Sequence, residues 1–320
     1  MAAIQRERKI FLCVCLNPVI QKTLVFDRLV KDEVNRCGAQ RVDASGKGVN
    51  VSRVLVQGGR SALHLTQAGG PTRDWFLSLC AADGIDLRWV ESGSEIRFCY
   101  TILDRSDRSA TELVEEAKPV APGTGELVLR EFERILPDCD ALIISGTKAA
   151  GFDDGIFPRM VRRARSSGLL VVLDIKGRDL LSCLPERPDI VKPNLHELLA
   201  TWPLDDKNGA ATRAEKKDGG ETEEQLRRHV GAVSAELDSR WGARLVVTRG
   251  GRSTWYWDDN ALHEEGVTAR PALNPTGSGD AFTAGLAATL AEGGSLAEAI
   301  REGTRLGGLN AERLKPGSIE

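Results

Sequence analysis

Residues 141–174 read ALIISGTKAAGFDDGIFPRMVRRARSSGLLVVLD. Ala141 to Ser145 is an apolar run of strand length, Gly155 to Arg165 has helical patterning, and Leu169 to Asp174 is a second strand-like run. Two strands joined through a helix make the crossover unit of a parallel sheet. The rhythm continues on both sides. A helix is expected over Glu126 to Ile135, a short strand over Asp189 to Val191, helices over Glu197 to Thr201 and Glu224 to Arg240, and a strand over Arg244 to Thr248. Such alternation predicts an α/β fold with a mainly parallel sheet and helices on both faces. Ligands of such sheets gather at the carboxyl ends of the strands.

Toward the N-terminus the pattern is less regular. Ile10 to Leu16 reads as a first buried strand, and Lys22 to Leu29 and Val34 to Arg41 as further strands. Gly48 to Gln57 reads as a helix with Val51, Val54 and Leu55 inward, ended by Gly58 and Gly59. Ser61 to Thr66 is a candidate strand, Thr72 to Ala82 an amphipathic helix, and Arg97 to Leu103 pairs with Ala110 to Val114 across a polar turn. Residues 205–222 are polar and nearly without large apolar side chains, which reads as a mobile surface insertion.

The 320 residues carry a formal net charge of -3 and no long basic block, which argues against a nucleic-acid partner. No stretch has the length of a membrane span. The apolar run that follows Arg6, Arg8 and Lys9 is short and ends at Asn17-Pro18, so it reads as a strand and not as a signal peptide. Seven cysteines without a Cys-x-x-Cys pair fit buried thiols in a reducing cytoplasm. The four histidines are scattered and suggest no metal ligand. Neither a Walker phosphate loop nor a dinucleotide Gly-x-Gly-x-x-Gly follows the first strand.

Chemistry concentrates in short segments. Residues 274–285 read NPTGSGDAFTAG, and Phe282, Leu286 and Leu290 recur at helical spacing, so a helix is expected to begin near Asp280. Backbone N–H groups of such a turn suit a transferring phosphoryl group. Asp280 then reads either as a base that takes a hydroxyl proton or as a helix N-cap. In Ala44-Ser45-Gly46-Lys47-Gly48-Val49-Asn50, Lys47 suits a phosphate and Asn50 a hydroxyl, or the segment is a flexible turn with Asn50 in solvent. In Lys192-Pro193-Asn194-Leu195-His196-Glu197, Asn194 and Glu197 suit water around Mg²⁺ or form a capping box. Thr248, Gly250 and Gly251 close a β-branched strand, where either a nucleotide site or a plain turn fits. Arg97 can grip a phosphate or simply face solvent from its strand.

In this order the segments resemble the ribokinase-like carbohydrate kinases of the PfkB type, from about Ile10 to Ile319. The motif from Thr276 to Gly285 carries most of the likeness, supported by Ser45 to Asn50 and by Lys192-Pro193-Asn194 with Glu197. Leu16-Asn17-Pro18, Thr111-Glu112-Leu113, Ser145-Gly146-Thr147 and Lys315-Pro316-Gly317-Ser318 resemble the 1-phosphofructokinase and tagatose-6-phosphate kinase branch.

The resemblance implies a single domain over 1–320 with a three-layer α/β/α core and a small β lid, drawn from about 18–44 and 92–118. It implies a cytoplasmic kinase that uses ATP and Mg²⁺, admits a monovalent cation and acts on a primary hydroxyl of a phosphorylated ketohexose. Asp280 would be the base, with the N–H groups of Gly277, Ser278 and Gly279 stabilising charge. Asn17, Gln21, Gly46 and Asn50 would line the sugar site, and Lys47 and Arg97 would hold the substrate's phosphate. Lys192, Asn194, Glu197, Thr248, Gly250, Gly251 and Asn310 would line the nucleotide groove, Asn194 and Glu197 also ordering the metal through water. A homodimer through the lid would cover an open sheet edge.

Six positions differ from the family pattern. Gln21 stands where an Asp is usual, Ser45 replaces a glycine, Cys99 and Thr101 replace an Asn and a Lys, and Lys148-Ala149 replaces Leu-Pro. The nucleotide half and the base are therefore complete, whereas the substrate half is altered. Two other readings stay open: a kinase of an unphosphorylated sugar or nucleoside, and a non-catalytic sensor on a kinase scaffold.

Overall fold

A computed structural model describes residues 9–204, 222–268 and 270–320. The first strand, β1 (Ile10–Leu16), turns Phe11 and Cys13 to one buried face and Leu12, Val14 and Leu16 to the other. Both faces are apolar because both are covered, the mark of a central strand in a parallel sheet. Next come β2 (Val19–Phe26), β3 (Ala39–Ser45), α1 (Lys47–Gln57) and β4 (Ser61–Ala68). They are followed by α2 (Arg73–Ala82), β5 (Asp86–Glu91), β6 (Arg97–Asp104) and β7 (Ser109–Val114). The strand expected over Val34 to Arg41 begins only at Ala39. Val34 is 84% exposed among charged neighbours, so no apolar face exists there to bury.

The regular alternation follows as α3 (Thr124–Ile135), β8 (Ala141–Lys148), α4 (Ile156–Ser166) and β9 (Leu170–Asp174). It continues through α5 (Gly177–Cys183), β10 (Ile190–Val191), α6 (Leu195–Thr201), α7 (Glu223–Trp241) and β11 (Arg244–Val247). A hairpin, β12 (Thr254–Asp258) and β13 (Ala261–Glu265), turns at Asp259 and Asn260, both at positive φ. The last elements are α8 (Ser278–Ala291) and α9 (Leu296–Ala311). Capping boxes start α6, α7 and α9 at Asn194, Thr222 and Ser295. Of the insertion expected at 205–222, all but Thr222 lies outside the described residues.

Nine strands form one sheet in the order β13-β12-β11-β10-β9-β8-β1-β4-β5, parallel from β11 through β5, with the hairpin antiparallel at one edge. On one face Phe132, Phe157, Leu180 and Val230 of α3, α4, α5 and α7 pack on Leu12, Leu142 and Val171. On the other, Val51, Phe282, Leu286 and Ile300 of α1, α8 and α9 pack on Phe11, Ile143 and Val246. These are the three layers of the expected ribokinase-like α/β fold. A separate four-stranded sheet, β3-β2-β6-β7, meets α2 through Ile20, Phe76, Cys80 and Ile96. All seven cysteines are free, and only Cys37 is exposed. Among the described residues no helix is long and apolar enough to cross a membrane.

Candidate active site

The carboxyl ends of β8, β9 and β10 face the starts of α1, α6 and α8, and charged and hydroxyl groups from them meet there. Asp174, the last residue of β9, is 1% exposed. Its Oδ1 lies 3.2 Å from Lys47 Nζ and 3.4 Å from Lys192 Nζ. Its Oδ2 accepts from Ser145 Oγ at 3.0 Å and Thr283 Oγ1 at 3.1 Å. Burial pushes the Asp174 carboxyl up, but the two ammonium groups outweigh it and hold it below the usual carboxylate range. Lys47 also donates to Glu197 Oε1 at 2.9 Å. Burial alone would lower the Lys47 ammonium; Asp174, Glu197 and Asp280 hold it above its ordinary value.

Asp280 occupies the third position of α8, whose N-cap is Gly277. It is therefore not the helix cap. Its Oδ2 accepts from Asn50 Nδ2 at 2.7 Å, and both side chains are buried. Asn50 consequently does not face solvent. Burial, then the Asp174 charge, raises the Asp280 carboxyl to about 7 against the pull of Lys47, Asn50 and Lys192. In the turn ahead of α8 the Ser278 N–H donates to the Pro275 carbonyl at 3.1 Å. The N–H groups of Gly277 and Gly279 donate to no group among the described residues. A Cβ added at Gly279 would point into open space. A buried carboxyl near neutrality thus sits beside unpaired backbone donors at a helix N-terminus.

The remaining expected residues fall into three sets. Asn194 and Glu197 form the capping box, Asn194 Oδ1 accepting from the Glu197 N–H at 2.8 Å, and Glu197 still reaches Lys47. Capping and site are thus compatible. Thr248 bridges Asn194 through its backbone, and the Cα atoms of Gly250 and Gly251 border open space. On the smaller-sheet side Asn17 Nδ2 donates to Thr147 Oγ1 at 2.9 Å while its Oδ1 is buried without a partner. Gln21 Nε2 donates to Thr101 Oγ1 at 2.9 Å, and Arg97 Nη1 to the Glu115 carbonyl at 2.7 Å. Cys15 lies between the two halves: burial raises its thiol, the Arg97 charge opposes this and Asp280 adds to it.

Two expected residues have protein partners of their own. Lys47, expected at a substrate phosphate, donates to Asp174 and Glu197. Asn310 has no exposed surface; its amide donates to Thr276 O and Ser278 Oγ and accepts from the Ser318 N–H. It braces the turn that leads into α8. Sequence reasoning passed over Asp174, although an acid closing an apolar strand at its carboxyl end is a usable signal. It also passed over Arg53, whose burial nothing local announces.

Over residues 14–319 the sequence matches the pfkB family of carbohydrate kinases. The chain belongs to this family. PfkB enzymes are phosphotransferases with an alcohol acceptor, and ATP and magnesium binding are typical of them. Among solved structures, phosphofructokinase-2 from Escherichia coli with fructose-6-phosphate is 22% identical, with a TM-score of 0.78 over 97% of this chain and 96% of that one. A possible 1-phosphofructokinase from Thermotoga maritima is 20% identical, with a TM-score of 0.79 over 96% and 93%. Ribokinase from Arabidopsis thaliana, complexed with ribose and ATP, is 17% identical, with a TM-score of 0.68 over 97% and 94%. At these identities the likeness concerns the fold.

Proposed function

We propose that this pfkB kinase transfers the γ-phosphoryl of MgATP to a primary hydroxyl of a phosphorylated ketohexose, with Asp280 as base. The observation that carries the reading is Asp280 itself: a buried carboxyl raised to about 7, next to unpaired N–H groups. A base works best with a pKa near the operating pH. Asp280 would accept the hydroxyl proton, and Asn50 would fix the carboxylate toward it. The N–H groups of Gly277 and Gly279 would stabilise negative charge on the phosphoryl oxygens. Lys192 and Lys47 would face the nucleotide's phosphates, with Thr248, Gly250 and Gly251 along its groove.

The donor set fits magnesium. Glu197, with Asn194 of the same capping box, would order the ion through water, and no group of three or more His, Cys, Asp or Glu forms a metal cage among the described residues. Such sparse donors suit an ion that keeps several waters and takes other ligands from phosphate. The ion, when bound, would neutralise phosphate charge.

Arg97 would hold the acceptor's phosphate, and Asn17 and Gln21 its hydroxyls. The smaller sheet would act as a lid that excludes water. The exposed strand β7, with Leu113 at 52% and Val114 at 54%, supports a homodimer through that lid. A second reading, an unphosphorylated acceptor, draws support from Lys47 facing Asp174 and from the Gln21–Thr101 pair, which puts no charge at the sugar site. Exchanging Arg97 for Glu separates the two. The first reading expects KM for a phosphosugar to rise about tenfold or more, as for loss of a charge-assisted bond, with free sugars unaffected. An equal effect on both supports the second.

A further inference from the structure

We propose that Arg53 is a positioning residue that sets Asp280 through the amide of Asn50, an inference that rests on the base role proposed for Asp280. Arg53 lies one helical turn after Asn50 on α1 and has no exposed surface. Its Nη1 donates to Asn50 Oδ1 at 2.9 Å, to the Pro316 carbonyl at 3.0 Å and to the Gly317 carbonyl at 3.4 Å. Nε donates to Asp83 Oδ2 at 2.7 Å, and Nη2 to the Ala44 carbonyl. Lys315 closes the ring by binding the same Asp83.

A guanidinium can only donate, so the Asn50 atom that meets it must be the amide oxygen. Ser45 Oγ donates to that oxygen as well, at 3.2 Å. The NH₂ end of Asn50 is therefore the end left for Asp280. With Arg53 gone, only Ser45 Oγ at 3.2 Å would hold that oxygen, so the amide is less firmly fixed, and a rotated amide would set its oxygen against the carboxylate. Arg53 also fixes a spacing. Through two carbonyls it holds the segment at Gly317, where φ is +60° and an added Cβ would lie 2.2 Å from Asn50 Cβ. An added Cβ on Gly277 would lie 2.2 Å from the Gly317 nitrogen. Gly317 is thus wedged between Asn50 and the turn that carries Asp280, and Arg53 is its clamp.

The charged, polar and titratable groups that face Asp280 are Asp174 from β9, Lys47 and Asn50 from α1, Lys192 after β10 and the Cys15 thiol from β1. Arg53 makes no contact with Asp280. A change at Arg53 that keeps its charge and still alters the titration of Asp280 is expected to act through Asn50. A role confined to packing would lower stability and leave that titration alone.

The test follows the ¹³Cγ resonance of Asp280 against pH, assigned by its loss in Asp280→Asn, in the unaltered protein, Arg53→Lys, Asn50→Ala and the double variant. Lysine keeps the buried charge but offers one donor head where the guanidinium spans several partners. The Asp280 midpoint is expected to rise by about half a pH unit or more in each single variant, since a bond to the charged form is lost. The double variant should add nothing, because both changes act on one bond. In turnover, kcat is expected to fall about tenfold or more with KM for ATP nearly unchanged, as for misplacement of a reacting group. A folded Arg53→Lys protein with an unmoved midpoint, or a double variant with additive shifts, overturns the proposal. Should Arg53→Lys fail to fold, Asp83→Asn loosens the guanidinium from its other end, and an unmoved midpoint there counts equally against it. The titration needs no substrate: absent turnover in the unaltered protein counts against the base role, and an unmoved midpoint against Arg53.

Discussion

Asp280 faces two opposed influences, burial beside Asp174 and the donors Asn50, Lys47 and Lys192, and the first prevails, leaving the carboxyl at about 7. If it serves as base, kcat/KM should rise with pH along a limb centred near 7, and Asp280→Asn should lose that limb together with a factor of about 10² to 10⁴ in rate. The same carboxyl has a consequence for stability. It binds its proton more tightly folded than unfolded, so its contribution to stability falls as pH rises from 3.8 toward about 7. Asp280→Asn removes that fall. Its melting temperature relative to the unaltered protein should be higher at pH 8 than at pH 5, which paired thermal melts check. A difference independent of pH would count against a raised Asp280. The Asp280 motif was legible in sequence because its glycines, acid and helix are contiguous. Asp174 and Arg53 were not. Lys47 meets Asp174 across 127 residues, and Arg53 meets Pro316 across 263, so their meaning arises only from topology.

The element that matters most is the turn into α8. Gly277 holds φ at +85° and leaves no room for a Cβ against Gly317. Gly277→Ala is expected to destabilise the protein by about 1–2 kcal/mol from backbone conformation, with the contact adding to this, and to lower kcat by displacing the unpaired N–H groups. Denaturant titration and steady-state kinetics check both parts. Elements with strong periodicity, such as α3, α4 and β8, were readable to within a few residues. The edge strand β5 escaped notice because its exposed, half-polar residues show little apolar patterning. The β12–β13 hairpin also escaped, although Asp259-Asn260 is a turn signal. Val34 misled in the opposite direction, as a lone apolar residue among charges. Apolar pattern reports burial, and strands without it stay hidden.

At the scale of the whole molecule, the charged cluster lies at the carboxyl ends of the parallel strands, where the sheet opens toward the smaller one. Thr276 Oγ1 donates to Glu112 Oε1 of β7 at 3.2 Å, so the smaller sheet already touches the turn ahead of Asp280. A dimer through that sheet would cover β7, and charge at its centre should oppose this. Leu113→Glu is expected to shift sedimentation from dimer to monomer; an unchanged dimer would place the interface elsewhere. The α/β architecture was legible in sequence from its alternation alone. The acceptor was not, because Gln21, Cys99 and Thr101 alter the substrate half and their partners become apparent only when the smaller sheet is assembled. The most direct test of the central claim is ADP release from MgATP by the purified protein. The acceptors are fructose 1-phosphate, fructose 6-phosphate, tagatose 6-phosphate, the matching free sugars and nucleosides, with Asp280→Asn alongside. Turnover on a phosphorylated ketohexose that disappears in Asp280→Asn is the predicted result. Silence across the panel while ATP still binds, or turnover that survives Asp280→Asn, would contradict it.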